Sequence, residues 1–188
     1  MRVLAILLPL LVAMGVNAST ITMDIHNIAV DAIQDQAEIQ GLPWTVGDET
    51  NYKINMGFLQ GTMKMRVREE TDQGFWVNQD VNLMIQQSRI EVLFDKNDGS
   101  IIRMIVDGRE QEPQEQDIEI IETREDTVTV PAGTFDAIYI KARDNNQNQE
   151  IQQWINLRDI AISGMAKAIT PGQFGEVVIE LQNTQRAN

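Results

Sequence analysis

The sequence predicts an α+β fold: a curled antiparallel β half-barrel of about ten strands with an N-terminal helix in its concave face. From residue 44 onward, apolar side chains recur at every second position in runs separated by turn signals, which is typical of antiparallel strands. Only residues 23–40 show the three-and-four spacing of a helix. Because so many strands exceed what a flat open sheet accommodates, we expect the sheet to curl around that helix.

The first 18 residues have the pattern of a secretory signal peptide. Arg2 precedes an apolar run from Val3 to Val16, and small residues lead to an expected cleavage after Ala18. The run is shorter than the roughly 20 residues that cross a bilayer. We therefore expect a signal peptide at 1–18 and a single domain at 19–188 that does not span a membrane.

Residues 23–40 predict one amphipathic helix, which Gly41 to Pro43 would end. Its acidic residues fall away from a single apolar stripe, which consists of Ile25, Ile28, Ala29, Ala32, Ile33 and Ala37.

The remaining segments read as strands joined by turns. Gly61 to Glu69 alternates most regularly, and Asn97-Asp98-Gly99 is a strong hairpin signal. Glu110 to Asp117 reads as a polar loop. The other predicted strand segments are Tyr52 to Leu59, Phe75 to Gln86, Ser88 to Asp95, Ile101 to Asp107, Ile118 to Glu125, Thr127 to Val130, Thr134 to Arg143, Glu150 to Asn156, Ala166 to Thr170 and Phe174 to Gln182.

The composition indicates which cellular compartment and which kinds of partner to expect. The 188 residues carry 28 acidic and 15 basic side chains, a formal charge of −13, so the surface repels phosphate backbones and we expect no nucleic-acid partner. No cysteine occurs, which excludes disulfides, thiolate metal sites and thiol catalysis. An exported chain without disulfides favours the periplasm of a bacterial envelope.

A corner lies between two β-rich runs in V-T-V-P-A-G-T-F-D-A, Val128 to Ala137, where Pro131 and Gly133 mark the turn. With Trp154, S-G-M-A-K (163–167) and V-G-D-x-x-x-Y (46–52), this corner resembles exported bacterial domains of unknown function that carry a V-P-A-G-T-F-D-A corner. Those domains are related in fold to the periplasmic lipoprotein carriers. The resemblance implies a half-barrel with an apolar cavity, and it carries no catalytic residue.

No pattern in the sequence favours catalysis. His26 is the only histidine, and no nucleophile elbow, zinc-protease motif or phosphate-binding glycine loop occurs. Three carboxylate pairs could serve a hydrolase if one were buried: Glu69 with Glu70, Glu119 with Glu122, and Asp95 with Asp98. With so many acidic residues, close pairs arise by chance. We expect no enzymatic activity.

Metal binding is also unexpected. Asp95, Asn97 and Asp98 resemble part of a calcium loop, but the spaced ligands and the closing glutamate are missing. Met63-x-Met65 offers thioethers that suit cuprous ion, without a histidine or cysteine cluster beside them. We therefore expect no metal and no cofactor.

The methionines are better suited to an apolar interior or a flexible cavity wall. The sequence predicts a periplasmic carrier or chaperone that shelters a lipid acyl chain or a hydrophobic peptide in an apolar cavity. The alternative is an envelope protein-protein interaction module with a packed interior, which binds through an exposed edge or polar loops. The predicted cavity residues are Met56, Phe58, Met63, Met65, Val67, Trp76, Met84 and Trp154.

Overall fold

The structure is a computed structural model that describes residues 42–84, 86–112, 117–172 and 175–187. The predicted signal peptide and the predicted helix over residues 23–40 lie outside the described residues.

Eleven β-strands form one sheet in which every neighbouring pair is antiparallel. Their order is β6-β5-β4-β3-β2-β1-β11-β10-β9-β8-β7, so the first and last strands meet in the middle and β6 and β7 are the two edges. The strands are β1 (Glu49–Met56), β2 (Leu59–Glu70), β3 (Gly74–Leu83), β4 (Gln86–Asp95), β5 (Ile101–Val106), β6 (Arg109–Gln111), β7 (Ile118–Val130), β8 (Gly133–Asp144), β9 (Gln149–Ile155), β10 (Met165–Gly172) and β11 (Gly175–Gln185).

The predicted α+β half-barrel with a helix in its concave face is wrong. The described residues are all-β and contain no helix, and their sheet is open, with two unjoined edges. The prediction assumed that only a helix could cover the apolar face of so long a sheet. Among the described residues, two irregular segments of the chain pack against that face.

One face of the sheet is mostly apolar and buried from β4, through the central strands, to β8, and we call it the inner face. Cross-strand register keeps it continuous: Met63 pairs with Tyr52, which pairs with Leu181. Burial of this face is the main source of stability in a chain without disulfides. Its fully buried side chains include Tyr52, Ile54, Met63, Met65, Ile90, Ile140 and Ile155.

The segment before β1 and the loop between β9 and β10 contribute to the same core. Trp44 packs edge-on against Phe94 with ring centroids 5.3 Å apart. Its indole Nε1 donates a hydrogen bond of 2.9 Å to the Ile162 carbonyl in the loop. The Tyr52 hydroxyl lies 3.3 Å from the Ser163 Oγ, and burial raises the pKa of that phenol. These polar contacts fix the loop on the core while satisfying its buried groups.

The hairpin of β7 and β8 turns at Pro131 and Ala132 and returns to the middle of the sheet. The Ala132 amide donates a hydrogen bond of 3.0 Å to the Leu181 carbonyl of β11. Val128 and Val130 are buried near this contact. The proline-glycine corner therefore anchors one end of the edge strand β7.

Candidate functional site

The eight predicted cavity residues occupy three different places. Met63, Met65 and Val67 lie on the inner face of β2, and at most 1% of each side chain is exposed. The Gln79 side-chain amide donates to the Met63 sulfur at 2.9 Å. Met56, at the end of β1, is partly buried against the same core. These residues belong to one continuous apolar cluster.

Trp76 and Trp154 lie on the outer face of the sheet. The Arg68 guanidinium stands 5.3 Å from the Trp76 ring. Trp154 packs against Tyr139 with ring centroids 5.0 Å apart, and its indole Nε1 donates a 2.9 Å hydrogen bond to Asp126. That hydrogen bond lowers the pKa of Asp126. Both tryptophans therefore lie on the outer face, and Trp154 is also partly buried against the apolar cluster.

Phe58 and Met84 are at the tips of two hairpins and point into solvent, with 71% and 77% of their surface exposed. Gly57 takes a φ of 72° in the β1–β2 turn, a conformation that favours glycine, and so ends the strand before Phe58. The two tips are neighbours because β2 pairs with β3 up to Gly61 opposite Leu83.

Gly61 allows the two tips to approach closely. A Cβ at residue 61 would lie 2.6 Å from both the Asn82 carbonyl oxygen and the Leu83 Cδ2. A larger residue at this position would separate the hairpins. The sequence therefore builds a close pair of tips, each with one large exposed apolar side chain.

Three hairpins that are neighbours in the sheet at this end contain no charged side chain at their tips. Residues 54–61, 81–88 and 168–175 contain no aspartate, glutamate, lysine or arginine, in a chain with 23% charged residues. The β10–β11 hairpin lies beside the β1–β2 tip because Asn55 pairs with Val178. We call residues 54–61, 81–84, 86–88 and 168–172 the uncharged rim.

The opposite end of the same strands is acidic. Glu69, Glu70 and Asp72 surround the β2–β3 turn, and Asp95 and Asp98 lie in the β4–β5 turn. Charge is thus separated along the direction of the strands. An apolar ligand at the hairpin tips of the uncharged rim loses little hydration from charged groups, because the pair of Asp80 and Arg89 lies only at the border of the rim.

An open polar groove of about 480 Å³ lies next to the β3–β4 tip. The Arg89 Nε donates a 2.6 Å hydrogen bond to Asp80, which raises the pKa of Arg89. Asp107 accepts hydrogen bonds from the Ser88 hydroxyl at 2.9 Å and from the Arg89 amide at 2.8 Å. Because these groups satisfy one another, the groove presents little chemistry for a further ligand.

The other candidate groups do not form a reactive centre. The carboxylate pairs Glu69 with Glu70 and Glu119 with Glu122 are exposed. Asp95 accepts hydrogen bonds from the backbone and side chain of Asn97 and so closes a turn. No cluster of three metal-ligating side chains occurs among the described residues. His26 lies outside them.

No helix suited to crossing a bilayer is found in the part of the chain that the structure describes.

Several polar side chains on the inner face were not singled out from the sequence. Gln79 and Gln153 are buried in β3 and β9, and Thr50 and Thr170 are buried in β1 and β10. The signal was present in the alternation: Gln153 stands between Ile151 and Ile155, and Gln79 between Val77 and Val81. The two-residue period of a strand alone predicts that the Gln79 and Gln153 side chains point to the inner face.

No protein-family model and no curated protein sequence matches the chain. Two solved structures are similar in part. One is a proposed exported protein with a YmcC-like fold from Bacteroides fragilis, 11% identical, with a TM-score of 0.41 over 78% of this chain and 99% of that one. The other is MucB, 12% identical, with a TM-score of 0.42 over 85% of this chain and 59% of MucB. This chain thus spans about three fifths of MucB. At these TM-scores neither similarity carries an argument about function.

Proposed function

We propose that this chain is a periplasmic binding protein of the bacterial envelope that takes up an apolar group at the uncharged rim. The group is the acyl chain of a lipid or a hydrophobic peptide, and the function requires no covalent chemistry. The observation that carries the proposal is the exposure of Phe58 and Met84 on adjacent hairpin tips without a charged neighbour on either tip.

A single exposed apolar side chain is ordinary on a protein surface. Two large ones on neighbouring tips that contain no charged residue are different, because together they form an apolar patch that water solvates poorly. Methionine and phenylalanine supply a contact that adapts in shape and forms no obligatory hydrogen bond. Such a contact suits ligands that vary in length and branching.

The same reasoning locates the ligand at the rim, away from the inner methionines. Met63 and Met65 are already packed, with 1% of each side chain exposed. A ligand among them would have to displace packed side chains, whereas Phe58 and Met84 are 71% and 77% exposed. Met56, partly buried between the tip and the core, connects the two regions.

The size of the effect follows from the exposed fractions. Fully burying a phenylalanine or methionine side chain stabilises a complex by about 1.5–3 kcal/mol, so covering Phe58 and Met84 contributes roughly 2–4 kcal/mol. Replacing both by serine should therefore weaken binding by about 30-fold to about 1,000-fold. The matched control is Val46→Ser with Ile102→Ser, which removes two apolar side chains, 46% and 41% exposed, from other surfaces.

The test is a titration with a fluorescent long-chain fatty acid and, separately, with a fluorescent hydrophobic peptide. The proposal expects the native chain and the control variant to bind at least one probe equally, and the Phe58→Ser, Met84→Ser variant to lose that binding. Equal affinity of all three proteins for both probes would contradict it. So would bare protein in every native mass spectrum of material purified gently from the envelope.

A further inference from the structure

We infer that the free edge of β7 accepts an extended, basic segment of another protein as an additional antiparallel or parallel strand. This inference concerns a different surface from the uncharged rim and does not depend on the proposed function. It rests on the length of the edge, on its exposed isoleucines and on its charge.

The β7 edge is long and open to solvent. The strand has 13 residues and pairs with β8 alone. Its last residues, Val128 and Val130, are buried, whereas nearly all of residues 118–127 are exposed. The other edge, β6, has only three residues. A strand edge presents unpaired amides and carbonyls, which an extended peptide can satisfy.

Two exposed isoleucines provide apolar contacts on this edge. Ile120 and Ile121 are 43% and 42% exposed and stand at an irregularity in the pairing with β8, between Ile120 and Glu122. The irregularity places consecutive isoleucines beside the edge. An added strand would cover part of each and gain apolar burial together with backbone hydrogen bonds.

The charge of the edge selects the partner. Arg124 is its only basic side chain, and it is paired with Glu122 at 2.9 Å and with Asp126 at 3.2 Å. Glu119 and Glu125 form no ion pair with any other residue in the described ranges. Two carboxylates are therefore available to lysine or arginine side chains on an incoming strand.

The same carboxylates disfavour a second copy of this chain. Pairing two β7 strands would set acidic side chains opposite acidic side chains, and like charges across a strand pair are destabilising. Charged edges are a common means by which proteins avoid self-association. Here they would exclude copies of this acidic chain while admitting a basic segment.

The test uses synthetic peptides of about ten residues, the upper end of the usual range of strand lengths. One peptide alternates lysine and valine, one alternates glutamate and valine, and the third is the lysine peptide methylated at every backbone nitrogen. The third has the same charge but cannot form a strand ladder. Binding is measured by fluorescence anisotropy, and the contact is located by hydrogen exchange of the protein amides.

The lysine peptide is expected to bind and to protect amides within 118–127, while the glutamate and methylated peptides do not bind. Glu119→Lys with Glu125→Lys should weaken binding by about ten-fold or more. The control Glu69→Lys with Glu70→Lys makes the same charge change at the acidic end. It should leave the difference in affinity between the lysine peptide and the methylated peptide unchanged.

Equal binding of the methylated peptide would show attraction by charge alone and would overturn the inference. Protection confined to residues outside β7 would overturn it as well, as would dimerisation of the chain through β7. If the charge-reversed variant fails to fold, the comparison of the lysine and methylated peptides on the native chain still decides the question.

Discussion

Met65→Arg is the substitution that best tests whether the inner face is packed. Met65 lies in the middle of β2, with 1% of its side chain exposed, between the buried Thr50 and Gln79 on the neighbouring strands. An arginine there cannot extend its charged end to water past these neighbours. Losing the packed thioether costs about 2 kcal/mol or more, and burying an unpaired charge costs several kcal/mol further.

The sum, at least about 5 kcal/mol, equals the whole stability of many domains. With a denaturant slope of about 1–3 kcal/mol per molar urea, the urea midpoint should fall by about 2 M or more, or the chain should not fold at all. Phe58→Arg is the matched control. It introduces the same charge at a side chain that is 71% exposed, so its midpoint should change little.

Urea unfolding followed by circular dichroism measures both variants. A Met65→Arg midpoint close to that of the native chain would show that water reaches the inner face. The methionines would then line a cavity, the rim would lose its role as the ligand site, and the packing argument would be refuted. A large loss for Met65→Arg with little change for Phe58→Arg supports the packed interior.

Two further predictions concern the sheet itself. Gly74→Ala places a Cβ 1.7 Å from the Phe94 carbonyl oxygen, so β3 and β4 must separate and the free energy of unfolding should fall by about 2 kcal/mol or more, as measured by urea unfolding. Trp154→Phe removes the hydrogen bond that holds the pKa of Asp126 below its ordinary value. A lowered pKa stabilises the folded state at pH values above the unfolded pKa of about 4, and this stabilisation is lost as the pH falls through the folded pKa. The difference in urea midpoint between the native chain and the variant should therefore shrink as the pH is lowered from about 6 to about 2.5. A constant difference would show that the indole acts on Asp126 through packing alone.

The strand pattern was the most predictable part of the fold. The alternation predicted β2, and the turn signals at Asn97-Asp98-Gly99 and at Pro131 to Gly133 are confirmed by the observed hairpins. Such signals are local, since a strand face and a tight turn are both determined by a few consecutive residues. The short edge strand β6 was wrongly taken as part of a polar loop, because its three residues are all exposed and show no apolar alternation.

The cover of the inner face could not be predicted in this way. The loop between β9 and β10 reads as irregular, yet Ile160, Ala161 and Ile162 are almost completely buried. Ile162 has a φ of 59°, which is unfavourable for a β-branched residue and is held by its surroundings. Its position depends on contacts with Trp44, more than a hundred positions away, and no local pattern records them.

Phe58 and Met84 were predicted to line an internal cavity, and the structure places them at exposed hairpin tips instead. Phe58 continues the every-second-residue series of Tyr52, Ile54 and Met56, so its phase predicts an inward side chain. The series ends one residue earlier, because Gly57 turns the chain. For Trp154 the phase points outward, because Ile151, Gln153 and Ile155 alternate with it and are buried. The alternation therefore predicts the position of Trp154 correctly. It fails for Phe58 because β1 ends before that residue.

The two proposed surfaces should respond to salt in opposite ways. The β2 strand of 12 residues is about 40 Å long, so the acidic end lies well beyond the screening length of about 8 Å from the uncharged rim. Charge repulsion from that end cannot regulate what binds Phe58 and Met84. Contacts at the rim are apolar and should persist or strengthen as salt rises.

Binding at β7 depends on Glu119 and Glu125 and should weaken over the same range. Raising sodium chloride from about 0.05 M to about 0.5 M should therefore leave the fatty-acid or peptide affinity of the rim intact while reducing the affinity for the lysine peptide. A parallel loss at both surfaces would mean that the rim probes bind through charge. Because the rim itself carries none, they would then be bound elsewhere on the chain.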